Sequence, residues 1–126
     1  MRKKHRRALY YLGNLWYDKR QYPEAIAAWE TSMKQDATFP TVLRNLSLAY
    51  FNKLGKEEEA VRLLEKAFAL DTTDARILME LDQLYKRLNR PHTERLAFLD
   101  KYKDVAFSRD DLYLEYLTLL NQLGRY

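Results

Sequence analysis

The chain has no cysteine, which removes disulfide frameworks, thiol catalysis and cysteine-based zinc sites together. This suits a reducing compartment, and a cytoplasmic protein is expected. Three glycines and three prolines among 126 residues leave little room for a disordered segment. No apolar run approaches the roughly 20 residues that a membrane-spanning helix needs. The run Met1 to Arg7 is not followed by the apolar segment of a signal peptide. Only two histidines occur, His5 in that basic run and His92 after Pro91, too isolated for a triad or a metal site. A Gly-rich phosphate loop is also missing. The expectation is a non-enzyme that uses no cofactor and no metal.

Charge of one sign is confined to one end. Arg2, Lys3, Lys4, Arg6 and Arg7 carry five positive charges against a net +4 for the whole chain, so the remainder nets −1. The body is close to neutral, with both signs interspersed. That balance speaks against nucleic acid as the partner, leaving only contact through the basic arm, with Tyr10 and Tyr11 available for stacking.

What the chain does have is a repeat. Residues Leu9-x-x-Leu12-Gly13-x-x-Trp16, then Ala25-x-x-x-Trp29, read as two amphipathic helices, with Gly13 and Ala25 as the small residues where their backbones meet. The landmark Trp16 returns as Tyr50, Tyr85 and Leu120, at steps of 34, 35 and 35 residues. Leu12 keeps the same steps as Leu46, Leu81 and Tyr116. Ala25 recurs as Ala60 and Trp29 as Leu64, whereas Glu94 stands at that Ala position in the third copy. Pro23 and Pro40 fit the first turns of helices, and Gly55 suits a left-handed helix cap. Asp71 to Asp74 forms a loop with ready N-cap side chains, and Ser108-x-x-Asp111 resembles a capping box. Seven helices are predicted, in repeats at about 6–39, 40–74 and 75–108 with a half-repeat at 109–126. We expect a single domain over 1–126 that ends mid-repeat, as a piece of a longer protein would.

These residues resemble the tetratricopeptide repeat (TPR), a helix–turn–helix unit of 34 residues. Repeat one carries Leu9, Leu12, Gly13, Trp16, Ala25 and Trp29. Repeat two has Ser47 in place of Gly and one extra residue in its turn, and repeat three has Asp82 there. More loosely, the chain is similar to the repeat segment at the end of large bacterial proteins. The resemblance implies an all-α, right-handed α-solenoid of antiparallel helix pairs. Its first helices would line a concave face that holds a peptide or a partner protein.

On those first helices the outward positions are Tyr10, Asn14 and Tyr17, then Arg44, Asn45, Leu48 and Phe51, then Arg76, Met79 and Gln83. They are the candidate peptide-binding residues: aromatic at one end, with Arg44 and Arg76 giving positive charge in the middle. Some chaperone-binding members hold a peptide carboxylate with a five-residue clamp, which falls here on Tyr10, Asn14, Asn45, Arg76 and Glu80. Three of these fit; Tyr10 is no cation and Glu80 repels a carboxylate. The leading expectation is a peptide-binding scaffold. The alternative is a structural spacer or a homo-oligomer formed through the uncapped last helix.

Overall fold

The structure, a computed structural model, describes residues 3–125 and the side chains of Arg7 to Arg125. Most of the basic run, and with it the question of an arm that contacts nucleic acid, lies outside the described side chains. Helix α1 (Lys3–Asp18) is followed by α2 (Tyr22–Gln35), which takes Pro23 in its first turn, where a missing N–H costs nothing. Helix α3 (Pro40–Ala49) opens on Pro40 and runs into a π-helical turn, Tyr50–Leu54. Glu57, Glu58 and Glu59 begin α4 (Glu57–Leu70), where their charge complements the helix dipole. Asp74 caps α5 (Ala75–Arg87), its Oδ1 accepting the Ile77 N–H at 3.0 Å. Then come α6 (His92–Lys101), α7 (Lys103–Phe107) and α8 (Asp110–Gln122). Among the described residues there is no strand, and the protein is all-α.

The repeat is written into the turns. Each first helix ends on a residue in the left-handed conformation: Arg20 (φ 61°), Gly55 (φ 65°), Asn89 (φ 58°) and Gly124 (φ 68°). The landmark carbonyls close these turns. Trp16 accepts from the N–H of Gln21 at 2.8 Å, Tyr50 from Lys56 at 3.0 Å, Tyr85 from Arg90 at 2.9 Å and Leu120 from Arg125 at 2.7 Å. Such bonds satisfy helix carbonyls that would otherwise lack a donor. Landmark and cap lie four residues apart in three copies and five apart between Tyr50 and Gly55, so the π-helical turn is where repeat two absorbs its extra residue. The left-handed conformation costs an L-residue about 1–2 kcal/mol. Arg20→Gly is therefore expected to stabilise the chain, by up to about 1 kcal/mol once the looser unfolded chain is counted. Gly55→Ala is expected to destabilise it by a similar amount. Urea melts of both variants check this, and a shift of the same sign in the two would contradict it.

The chain divides into two compact units, Met1–Leu70 and Asp71–Tyr126. In the first, α1 packs along α2, α2 against α3 and α3 along α4. Its core joins Ala25, Ile26 and Trp29 to Val42, Leu46, Ala49, Tyr50 and Ala60. In the second, Leu78 and Leu81 of α5, Leu96 and Leu99 of α6, Ala106 of α7, and Leu112 and Leu119 of α8 are buried.

One junction recurs with three chemistries. In the first helix pair, Gly13 lies under the Trp29 indole, and a Cβ there would come within 2.3 Å of Trp29 Nε1. In the second, Ser47 donates its hydroxyl to the Ala60 carbonyl at 2.6 Å. In the third, Asp82 is paired with Arg95, not with Glu94. The turn after Asn89 is one residue longer than those after Arg20 and Gly55, so α6 starts late and Arg95, fourth in its helix as Ala25 and Ala60 are in theirs, takes the Ala position. Glu94 is exposed.

Three other expectations need correction. Eight helices are found among the described residues, because the second helix of repeat three breaks at Tyr102 (φ −116°, ψ 40°) into α6 and α7. The Ser108 capping box is not formed. Arg109 is the N-cap of α8, and the Ser108 hydroxyl turns back to the Val105 carbonyl at 2.6 Å. Leu12 does not share the burial of Leu46 and Leu81 but is 41% exposed. Leu46 belongs to the core that α2 and α3 build together, and no described helix precedes α1 to cover Leu12 in the same way.

Candidate functional site

In the first unit the candidate residues lie on α1, on α3 and on its π-helical end, and every one is half-buried. Two helices that are not consecutive meet through an amide pair: Asn45 Nδ2 donates to Asn14 Oδ1 at 3.3 Å. Arg44 Nη1 donates to Asn45 Oδ1 at 3.4 Å, so guanidinium, amide and amide form one polar line across α3 and α1. Aromatic rings flank it. Tyr10 meets Phe39 edge-on, centroids 5.2 Å apart, and its carbonyl accepts the Trp29 indole N–H at 3.2 Å. Tyr17 packs on Tyr22 at 5.1 Å and on Trp29 at 5.6 Å. Phe51 lies against the unit's core, and Leu48 is half-buried one turn before it. Sequence reasoning missed Tyr22 and Lys53, whose ammonium stands 4.2 Å from the Tyr22 ring centre. The contact joins the start of α2 to the π-helical turn, where a regular helical wheel no longer applies.

The three remaining candidates sit on α5 in the second unit. Arg76 is exposed, its Nε 4.0 Å from Glu80 Oε2 one turn on. Met79 is half-buried and Gln83 exposed. The Arg76 charge is thus faced by a carboxylate of its own helix.

The second unit holds an ion network that the sequence reading did not find. Arg95, 2% exposed, grips Asp82 with two bonds, Nε to Oδ1 at 3.1 Å and Nη2 to Oδ2 at 2.9 Å. Nη2 also donates to Glu115 Oε1 at 2.7 Å, and Lys86 Nζ stands 3.4 Å from the same oxygen. Burial opposes the charge on Arg95, but the two carboxylates outweigh it and raise its pKa. Burial likewise opposes ionisation of Glu115, yet Arg95 and Lys86 prevail and hold its carboxyl below the ordinary value. The available signal was Asp82 in a Gly position, where an unpaired acid would be untenable.

Recurring helix pairs, each turned by a left-handed cap and joined at one tight contact, define a helical-repeat protein. The fold is that of the tetratricopeptide repeat. No model of a known protein family matches the sequence. Among solved structures, the chain is similar to the first TPR of Spaghetti (RPAP3) bound to the HSP90 peptide SRMEEVD, at 19% identity and a TM-score of 0.75, over 98% of this chain and 99% of that one. It is also similar to the MamA protein, at 19% identity and a TM-score of 0.77, over 98% of this chain and 67% of that one. A third likeness is to the TPR2B domain of yeast Sti1 in its pHsp70 complex, at 17% identity and 0.74, over 95% and 99%. Among the described residues, no helix is long and apolar enough to cross a membrane.

Proposed function

We propose that this chain is a peptide-binding scaffold and that the face formed by α1 and α3 receives the peptide. The observation that carries the reading is the Asn45–Asn14 bond, which sets two first helices side by side and fixes both amides. Among the described residues the Asn14 amide N–H pair has no acceptor, so it remains for a peptide carbonyl. Tyr10, Tyr17, Leu48 and Phe51 supply partly exposed apolar surface beside it, and Arg44 supplies a cation. The occupant that fits is an extended or helical segment with a bulky apolar residue near an acidic one. One similar solved domain is bound to an HSP90 peptide and another is in a pHsp70 complex, which supports the class of ligand. The carboxylate clamp of such domains would need cations where this chain has Tyr10 and Glu80, so a free C-terminus is not the group we assign here.

Panning a displayed peptide library on the chain is expected to enrich that acidic and apolar pairing. Arg44→Ala should weaken a selected peptide roughly tenfold with little change in Tm, and Phe51→Ala should weaken it by a similar factor while also lowering Tm, because that ring packs on the core. Binding that is unchanged in both variants would refute the assignment of this face. A second reading, self-association, draws on the exposure of Tyr113, Leu114 and Leu117 along α8.

A further inference from the structure

The ion network of the second unit borders a cavity of about 540 Å³, lined by Lys86, Arg90, His92, Arg95, Glu115 and Gln122 among others. The α1–α3 face plays no part in it. Lys86, Arg90 and Arg95 line it beside the Glu115 carboxylate, which Arg95 engages at 2.7 Å and Lys86 at 3.4 Å. Behind the wall, Asp82 takes up two more donors of Arg95. What remains is donor-rich. The Nη1 of Arg95 makes no hydrogen bond among the described residues, although the side chain is almost wholly buried. Lys86 is more than half exposed, with donors to spare beyond its single ion pair. Arg90 stands at the mouth, its guanidinium carbon 5.9 Å from the Tyr85 ring centre. Pro91 and His92, at the start of α6, also line the cavity, and Glu94 in that first turn is exposed.

We propose that this cavity binds an oxyanion, a phosphate monoester or a carboxylate, held by Lys86, Arg90 and the free edge of Arg95. Lys86 and Arg90 provide long-range attraction. Arg95, fixed in place by Asp82 and Glu115, presents a donor pair that needs no reorganisation on binding. A metal ion is excluded as occupant by the cations that line the cavity.

The test is a ¹H–¹⁵N NMR titration of the whole chain with inorganic phosphate, O-phosphoserine and succinate at fixed ionic strength. Saturable shifts are expected at the amides of residues 86–95 and at Glu115. Lys86→Ala and Arg90→Ala should each weaken binding roughly fivefold while leaving the spectrum elsewhere unchanged. Saturation by phosphate and phosphoserine but not succinate assigns a phosphate monoester; the converse assigns a carboxylate. Linear, unsaturable shifts with all three probes, or equal affinities in the variants, would overturn the proposal. A failure of peptide binding at α1 and α3 would leave this result untouched.

Discussion

Arg95→Ala is expected to lower the unfolding free energy by about 3–5 kcal/mol, because it strands Asp82 as an unpaired buried charge. Both side chains are nearly solvent-free and share two hydrogen bonds. The loss would come chiefly from the acid left behind and only in part from the pair itself. Putting leucine at Asp82 together with methionine at Arg95 should therefore recover most of it, since a well-packed apolar pair of similar volume commonly matches a buried ion pair. Glu115 would keep Lys86 and partial access to water, so it adds little to the deficit. Urea unfolding followed by circular dichroism checks both steps. A small effect of the alanine alone, or a double variant no better than the single one, would contradict the pairing.

The second large effect is expected at Gly13→Ala. Alanine should favour an isolated helix over glycine by about 1 kcal/mol. Here the added Cβ would lie 2.3 Å from Trp29 Nε1 and 2.4 Å from Cδ1, inside any tolerable contact. The indole must shift, although it is buried in the first unit's core and donates to the Tyr10 carbonyl. Overpacking of that kind costs about 1–3 kcal/mol beyond the helix gain, and more if the hydrogen bond breaks. The other repeats explain why the position is not always glycine. Ser47 and Asp82 stand in copies where Leu64 and Leu99 replace the tryptophan. In a Trp29→Leu background, Gly13→Ala should accordingly lose most of its cost. A double-mutant cycle showing independent effects would contradict the contact.

Much of the fold was legible because its signals are local. Pro23, Pro40, Asp74 and Gly55 mark helix ends through φ restriction, side-chain capping or tolerance of φ > 0, and each acts where the sequence places it. Arg20 and Asn89 adopt the same conformation as Gly55 without its signature, since tertiary packing imposes the turn on them. The break at Tyr102 was illegible because neither proline nor glycine marks it. There the rings of Phe98 and Tyr102 pack together at 5.4 Å, where an unbroken helix was expected. Arg95 escaped notice because a template that expects alanine offers no place for a guanidinium. Only the burial of Asp82 thirteen residues earlier makes it necessary. At the candidate site, positions on the helices follow from periodicity, whereas the Asn14–Asn45 bond and the Lys53–Tyr22 contact depend on how helices meet. The tenant of the surface has no local signature at all.

The most direct measurement is the map of amide shifts produced by a library-selected peptide on the ¹⁵N-labelled chain. Perturbations centred on Tyr10, Asn14, Arg44, Asn45 and Phe51 are predicted, with those residues slowing in exchange as the peptide saturates. Perturbations that leave α1 and α3 unmoved while another face responds would contradict the placement of the peptide.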